Sequence, residues 1–229
     1  MTTNSALLTA AMRAGLLVGI FTRAADFLLR ENYRIQCNTS AYHHKFFVGL
    51  PVTEENPHRK QQGRLISRDQ HRVLDNIKTE QRAHNDVILL PYRDTYQDLP
   101  LKTIALIRYA HRHRVHTLVK IDEEFCLRPH RVPKSDPSYF GSYLFSGTEY
   151  KSQRGYDNMS APYFSGYTYG LSHSVLKWLV TQLWDTSLLY ELYGSSSEDV
   201  DVGRWVQMLH KDIEYKTVGG LTRARTQEK

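Results

Sequence analysis

Two short acidic segments contain the side chains best suited to chemistry. The first, Asp122-Glu123-Glu124, directly follows an apolar run. Carboxylates at alternate positions of a loop, here Asp122 and Glu124, can hold a hard divalent ion and leave coordination positions for phosphate oxygens. A solvated acidic turn is the plainer interpretation of such a triplet. Its position at the end of an apolar strand strengthens the case for metal binding.

The second acidic segment is Glu198-Asp199, which follows the Ser-rich loop 194–197. A carboxylate such as that of Asp199 can act as a general base and take the proton from an attacking hydroxyl group. Acidic residues also gather at helix N-termini because the helix dipole favours them, and Ser197 is a suitable N-cap here. For this segment taken alone, the structural explanation is the stronger one.

Basic and aromatic segments give weaker signals. Arg30 and Arg34 lie one helical turn apart and could reach a phosphate or a nucleobase edge, although a solvated basic face is commoner. The stretch 165–170 suits either a close approach by a sugar ring or an ordinary strand and turn. The basic cluster in 108–116 matches no metal-binding helix motif, which favours a solvated or phosphate-facing surface.

The elements that must position these residues alternate between strands and helices. Short apolar runs predict buried strands at 16–21, 45–51, 86–90 and 117–121. Helical patterns occur at 25–36, at 64–83, from Leu101 onward and through 175–184. This order predicts an α/β fold with a mostly parallel sheet between helices, in which ligands bind beyond the carboxyl ends of the strands. The segment 133–170 is rich in Pro, Ser, Gly and Tyr, as binding faces often are.

Composition sets broad limits on the chain. Its 229 residues suit one domain, and we find no linker that would divide residues 1–229. The net charge of +6 favours anionic partners without choosing among them. The sequence has only two cysteines, Cys37 and Cys126, which are too few for a cysteine zinc site. The sequence leaves open whether they form a disulfide bond. The apolar stretch 6–21 contains Arg13 and is too short to span a bilayer.

Several motifs occur in a fixed order along the chain. They lie at 16–21, 30–34, 46–49, 85–88, 92–103, 119–125, 163–172 and 198–203. Together they resemble the β-1,3-galactosyltransferase family, glycosyltransferase family 31, which includes β-1,3-N-acetylglucosaminyltransferases and the Fringe proteins. The most specific match is 92–103, which is similar to the family block D-F-x-D-x-Y-x-N-L-T-L-K-T. Segment 119–125 resembles L-K-T-D-D-D-V-F, and 198–203 resembles E-D-V-Y-V-G.

The resemblance implies a GT-A fold and an inverting transfer of galactose or N-acetylglucosamine from a UDP-sugar, usually with Mn²⁺. Residues 16–126 would form the nucleotide-sugar half, and 133–217 the acceptor half. Asp122 would face the ribose and the metal, Glu124 would bind the metal directly, and Asp199 would be the catalytic base. Arg34 and Asp94 would lie near the uridine. A glycan or glycoprotein acceptor and a β-1,3 product linkage are expected.

This sequence departs from the family pattern in three ways. Glu123 and Glu124 replace Asp, no His follows His210, and the lumenal cysteines and membrane anchor of the family are absent. A catalytically inactive glycan- or nucleotide-binding relative is therefore the alternative. A nucleic-acid-binding protein would rest only on the net charge and the basic cluster in 108–116, and we expect no such partner. The resemblance and two N-glycosylation triplets, at Asn38 and Asn158, favour the Golgi lumen, with any membrane attachment through an anchor outside this chain.

Overall fold

The computed structural model describes residues 15–37, 39–52, 68–145, 161–183, 197–209 and 212–225. The strands are β1 Leu16–Phe21, β2 His43–Leu50, β3 Val87–Arg93, β4 Thr117–Asp122, β5 Phe125–Leu127, β6 Ser138–Gly141, β7 Leu144–Phe145, β8 Tyr163–Phe164, β9 Thr168–Ser172, β10 Glu214–Thr217 and β11 Thr222–Ala224. The helices are α1 Phe27–Gln36, α2 Arg68–His84, α3 Leu99–Arg112, α4 His173–Leu183 and α5 Glu198–Leu209. The four predicted strands are confirmed, and so are the four predicted helices over the described residues; positions 64–67 and 184 of two helix predictions lie outside them.

Seven strands form one central sheet in the order β10-β6-β9-β4-β1-β2-β3. Strand β9 runs antiparallel to both of its neighbours, and the other pairs in the sheet are parallel. This is the mostly parallel sheet that the sequence predicts. Its consequence is that the carboxyl ends of β1, β2, β3 and β4 lie along the same edge.

Both faces of the sheet are buried, which explains why its strands are apolar runs rather than alternating patterns. In β1, Leu17 and Phe21 join the core formed with α3, α4 and α5. The alternate residues of β1, Leu16, Val18 and Ile20, join the core that contains Tyr33 of α1 and Ile77 of α2. Successive side chains of a strand point to opposite faces, so one strand contributes to both cores.

A disulfide bond joins the end of α1 to the small strand β5. Cys37 and Cys126 have Cα atoms 5.3 Å apart, and both side chains are buried. Strand β5 follows the acidic triplet and pairs with β11 near the C-terminus. The disulfide bond and this strand pairing together connect three distant parts of the chain. The bond also settles the cysteine pairing that the sequence leaves open.

The second half contains the short strands and loops expected there. Strands β7 and β8 pair with each other, and β6 and β9 complete the central sheet. Residues 146–160, which include Asn158 of the second glycosylation triplet, lie outside the described residues, as does Asn38. Among the helices that the structure describes, none combines the length and apolar character needed to cross a bilayer.

Candidate active site

A cavity of about 270 Å³ opens where β1, β3 and β4 end. Thr22 and Arg23 follow β1, Asp94 follows β3, and the acidic triplet begins at the last residue of β4. All of these residues line the cavity. Distant parts of the sequence thus meet at the edge of the sheet where α/β proteins bind ligands.

Asp94 is buried and held in place by two neighbouring elements. Its Oδ1 accepts a hydrogen bond of 2.6 Å from Lys102 Nζ on α3. Its Oδ2 lies 3.3 Å from the backbone N of Gly49 in β2. Lys102 also donates to the carbonyl oxygen of Thr22, at 3.2 Å. This network fixes the ends of β1, β2 and β3 relative to one another and forms one wall of the cavity.

The three residues of the acidic triplet differ in exposure. The Asp122 side chain is 30% exposed, Glu123 is buried, and Glu124 is exposed. The backbone N of Asp122 donates to Tyr167 O at 3.2 Å, and Glu124 O accepts from the backbone N of Arg225 at 2.8 Å. The loop is therefore held at both ends by the second half of the chain, with carboxylates at its two outer positions open to the cavity.

Glu123 experiences the strongest electrostatic conflict at this edge. The pKa of its carboxyl group is raised to about 7: burial is the main cause and the charges of Asp26, Glu124 and Asp122 add to it, while a hydrogen bond with Thr22 lowers it. Like charges this close disfavour the ionised form. A bound cation would relieve that repulsion.

Asp199 lies in the first turn of α5, with its carboxylate oriented by three donors. Its Oδ2 accepts from the backbone N of Gly166 at 2.8 Å. Its Oδ1 accepts from the backbone N of Val200 at 2.9 Å and from the hydroxyl of Ser197. An ionised carboxylate has about four lone-pair positions, so Oδ2 keeps capacity for another hydrogen. This is the geometry of an oriented proton acceptor.

Lys120 brings Asp199 and the acidic triplet into one region. Its Nζ lies 2.8 Å from Asp122 Oδ1 and 3.1 Å from Glu198 Oε1, and it also donates to the carbonyl oxygen of Gly166. Sequence analysis missed Lys120 and the burial of Glu123. The available signal was a lysine inside the apolar run of β4, since buried lysines are rare unless paired.

Arg34 lies at the opposite edge of the sheet. Its guanidinium donates to both carboxylate oxygens of Asp86 and to Glu80, each at 2.8 Å. Glu80 also pairs with Arg30, which donates to Arg23 O at 2.7 Å, so a chain of charged contacts runs from Arg34 to the edge of the cavity. Arg34 is not among the residues that line the cavity, and its charge is paired with Asp86, Glu80 and Glu31, so its position near the uridine stays a prediction.

The side chains present suit a hard cation only in combination with a ligand. Within the described ranges, no group of three or more His, Cys, Asp or Glu surrounds a single point. Asp122 and Glu124 nevertheless offer carboxylate oxygens beside a cavity whose lining contains four acidic residues and two basic ones, Arg23 and Lys102. Oxygen donors of this kind fit Mg²⁺ or Mn²⁺ when phosphate oxygens and water complete the coordination shell.

Comparison with known proteins gives one family and one distant relative. The family model described as Galactosyltransferase matches residues 63–216, which include the acidic triplet and Asp199. Hydroxyproline O-galactosyltransferase GALT6 of Arabidopsis thaliana is 25% identical over 157 residues, 61% of this chain. That match covers 22% of the relative, so this chain spans about a fifth of its length.

Two solved structures are similar at TM-scores below 0.5. A glycosyltransferase involved in glycosylation of the major capsid of PBCV-1 has a TM-score of 0.45 at 8% identity, over 88% of this chain and 81% of that one. Galactosyltransferase LgtC, solved with donor and acceptor sugar analogues, has a TM-score of 0.43 at 13% identity, over 87% and 72%. The family model carries the assignment, because it matches more than half of the sequence. The chain belongs to the galactosyltransferase family and has its α/β, GT-A type of fold.

Proposed function

We propose that this protein is an inverting hexosyltransferase that moves galactose or N-acetylglucosamine from a UDP-sugar to a glycan or glycoprotein acceptor, with a β-1,3 product linkage. Membership of the galactosyltransferase family supports glycosyl transfer. The observation that carries the proposal is the meeting of two carboxylate groups, the acidic triplet and Asp199, around Lys120 and Gly166. Such a transfer needs one carboxylate site for the donor and one for the acceptor.

The donor side of the proposal uses the cavity at the carboxyl edge. Asp122 and Glu124 would hold a divalent ion, Mn²⁺ or another, and Asp122 and Asp94 would lie beside the nucleotide. When bound, the ion supplies Lewis-acid stabilisation of negative charge on the diphosphate. The fit rests on the carboxylate oxygens of Asp122 and Glu124, both of which line the cavity.

The acceptor side uses Asp199 as general base. Its carboxylate would take the proton of the acceptor hydroxyl while that oxygen attacks the anomeric carbon. The attack comes from the face opposite the diphosphate, so the bond from the anomeric carbon to the diphosphate oxygen breaks as the new bond forms. UDP leaves with the electron pair, and the anomeric configuration is inverted. Three hydrogen bonds orient the carboxylate for this task before the acceptor arrives. Orientation of this kind is a main source of general-base efficiency.

The test is UDP release with UDP-galactose and UDP-N-acetylglucosamine, with and without Mn²⁺ and an acceptor, followed by linkage analysis of the product. We expect metal-dependent transfer, and loss of UDP binding in Asp122→Asn. Asp75→Asn, on the exposed face of α2, is the matched control and should bind UDP normally. Metal-independent UDP binding would refute the metal role. Donor binding without transfer would identify the inactive relative instead.

We also propose that the protein works in the Golgi lumen. The Cys37–Cys126 bond supports an oxidising compartment, because disulfides persist there and are rare in the cytosol. The two N-glycosylation triplets in the sequence agree with a lumenal location. Glycosidase digestion of the protein expressed in cells, followed by its electrophoretic mobility, tests this proposal. A protein that carries no N-glycans and is found in the cytosolic fraction would contradict it.

A further inference from the structure

Lys120 is a buried cation in the middle of the protein. Its side chain is 4% exposed, in a strand with apolar neighbours that belong to both cores. A buried charge is unfavourable unless it is paired and hydrogen-bonded. Burial lowers the pKa of Lys120, but the carboxylates of Glu198 and Asp122 raise it more, so the ammonium group stays charged.

The partners of Lys120 come from two parts of the chain. Asp122 belongs to the donor side, and its Oδ1 lies 2.8 Å from Nζ. Glu198 begins α5 on the acceptor side, and its Oε1 lies 3.1 Å from Nζ. A lysine that only neutralised a buried acid would need one of these partners. Lys120 instead joins the metal-binding side of the proposed site to the helix that carries the proposed base.

Gly166 links Lys120 to the base itself. The carbonyl oxygen of Gly166 accepts from Lys120, and its backbone N donates to Asp199 Oδ2 at 2.8 Å. A Cβ atom at this position would lie 3.2 Å from both Asp199 Oδ2 and Glu198 Oε2. A side chain at this position would crowd both acids, so the absence of one lets the backbone N of Gly166 reach Asp199 Oδ2.

We propose that Lys120 is the positioning residue that sets Asp199 relative to the donor-side carboxylate, acting through Glu198 and Gly166. The inference rests on the proposed transferase function. It does not make Lys120 a catalytic residue, because its Nζ is occupied by three protein acceptors. Its effect should therefore appear in turnover more than in the binding of either substrate.

The first variant is Lys120→Met, which keeps a side chain of similar length and removes the positive charge. Misplacement of reacting groups by about 1 Å can reduce turnover on the order of 10²-fold, and we expect a fall in kcat of that size. The KM values for donor and acceptor should each change much less than kcat. The matched control is Lys45→Met, since Lys45 is a buried lysine of β2 that donates to Asn85 O at the other edge of the sheet. This control should lower the thermal midpoint and leave kcat unchanged.

The second variant is the double change Lys120→Met with Glu198→Gln, which removes both buried charges. It covers the case in which Lys120→Met alone does not fold. If Lys120 positions Asp199, the double variant recovers much of the thermal midpoint while kcat stays low, because Gly166 O still lacks its donor. Recovery of both quantities would show that Lys120 only neutralises Glu198, and would overturn the inference.

Two other outcomes are decisive. A kcat of Lys120→Met close to that of the wild-type protein would overturn the positioning role while leaving the transferase intact. No transfer by the wild-type protein with any donor would refute the proposed function, and the inference would fall with it. The wild-type assay therefore separates the two failures before any variant is compared.

Discussion

The two edges of the central sheet use the same charged residue types in opposite ways. Toward the amino edge, Arg34 pairs with Glu80 and Asp86, each at 2.8 Å, and Glu80 also pairs with Arg30, whose guanidinium reaches Arg23 O beyond the end of β1. Burial raises the pKa of Asp86, but hydrogen bonds from Arg34 and His44 lower it more, to well below its usual range. Each acid at this edge faces a cation that stabilises its ionised form.

At the carboxyl edge, negative charge is in excess. Lys120 pairs with Asp122, yet burial and, to a smaller extent, the charges of Asp26, Glu124 and Asp122 raise the pKa of Glu123 to about 7. The amino edge is arranged for stability, whereas the carboxyl edge keeps an electrostatic conflict that a bound cation would relieve. Functional sites are commonly the places where a fold accepts such a cost. Variants at the two edges should therefore affect different properties.

The largest expected effect is on turnover, at the carboxyl edge. Asp199→Asn removes the proton acceptor and keeps the shape of the side chain. General-base removal typically costs ~10²–10⁴-fold in rate, and we expect a kcat loss in that range. The affinity for UDP, measured by calorimetry, should barely change because Asp122 and Glu124 remain.

The thermal midpoint of Asp199→Asn serves as its control, since the carboxylate also accepts bonds from Gly166 and Val200. Near-normal turnover would move the base to another carboxylate, with Glu198 or Asp201 next in line. Loss of UDP binding would assign Asp199 to the donor site or to the fold. Either result would break the proposed mechanism and leave the family assignment intact.

The next effect is on stability, at the amino edge. Asp86→Asn leaves Arg34 with one fewer counterion, and breaking a buried ion pair typically costs about 3–5 kcal/mol. At 2–4 °C per kcal/mol, the thermal midpoint should fall by roughly 10 °C. The kcat measured well below that midpoint should equal the wild-type value.

Asp75→Asn makes the same chemical change on the surface of α2. The Asp75–Lys78 pair is 3.6 Å long and both side chains are mostly exposed, so the midpoint should hardly move. A large drop in kcat for Asp86→Asn at the same temperature would show that the two edges are coupled, and the contrast between them would fail.

The sequence predicts the sheet better than it predicts the site. Strands buried on both faces produce apolar runs, so the run 16–21 matches β1 to the residue. Asp94 and Asp122 could be placed at one edge because they follow strands of one parallel sheet. These features depend on local pattern and on topology, which a single sequence can supply.

Partners that are distant in the sequence could not be predicted. The periodicity of α1 shows that Arg30 and Arg34 share a face, but it does not show that Glu80 and Asp86 meet that face. Lys120 finds Glu198 only after α5 packs against the sheet. The Cys37–Cys126 bond spans 89 residues and has no local signature. Each of these contacts is set by packing rather than by spacing.

A smaller effect, of opposite sign, is expected for Glu123→Gln at the carboxyl edge. The amide removes a buried charge from beside Asp26, Asp122 and Glu124. Without ligand and in the presence of a chelator, the free energy of unfolding should rise by about 1 kcal/mol. Glu124→Gln is the matched control, because that side chain is exposed and should change the midpoint less. A lower midpoint for Glu123→Gln would mean that the carboxylate stabilises the carboxyl edge. The contrast between the two edges of the sheet would then no longer hold.

The smallest effect concerns pH at the amino edge, where His43 begins β2. Burial lowers the pKa of His43 to about 4 from 6.5, with help from the charges of Lys45, His44 and His113 and against that of Asp86. Between these two values the unfolded chain binds more protons than the folded one, so stability falls as pH falls through this window. Above pH 6.5 and below about pH 4 the His43 contribution no longer changes with pH.

Between about pH 7 and about pH 5, the thermal midpoint of His43→Gln should therefore fall less than that of the wild-type protein. The expected difference is a few degrees, measured by thermal melts of both proteins at the two pH values. His71→Gln, on the exposed side of α2, is the control and should follow the wild-type protein. Equal losses for His43→Gln and wild type would show that His43 does not limit acid stability. Asp86 would not account for the loss in either protein, because its depressed pKa keeps that group ionised throughout this range.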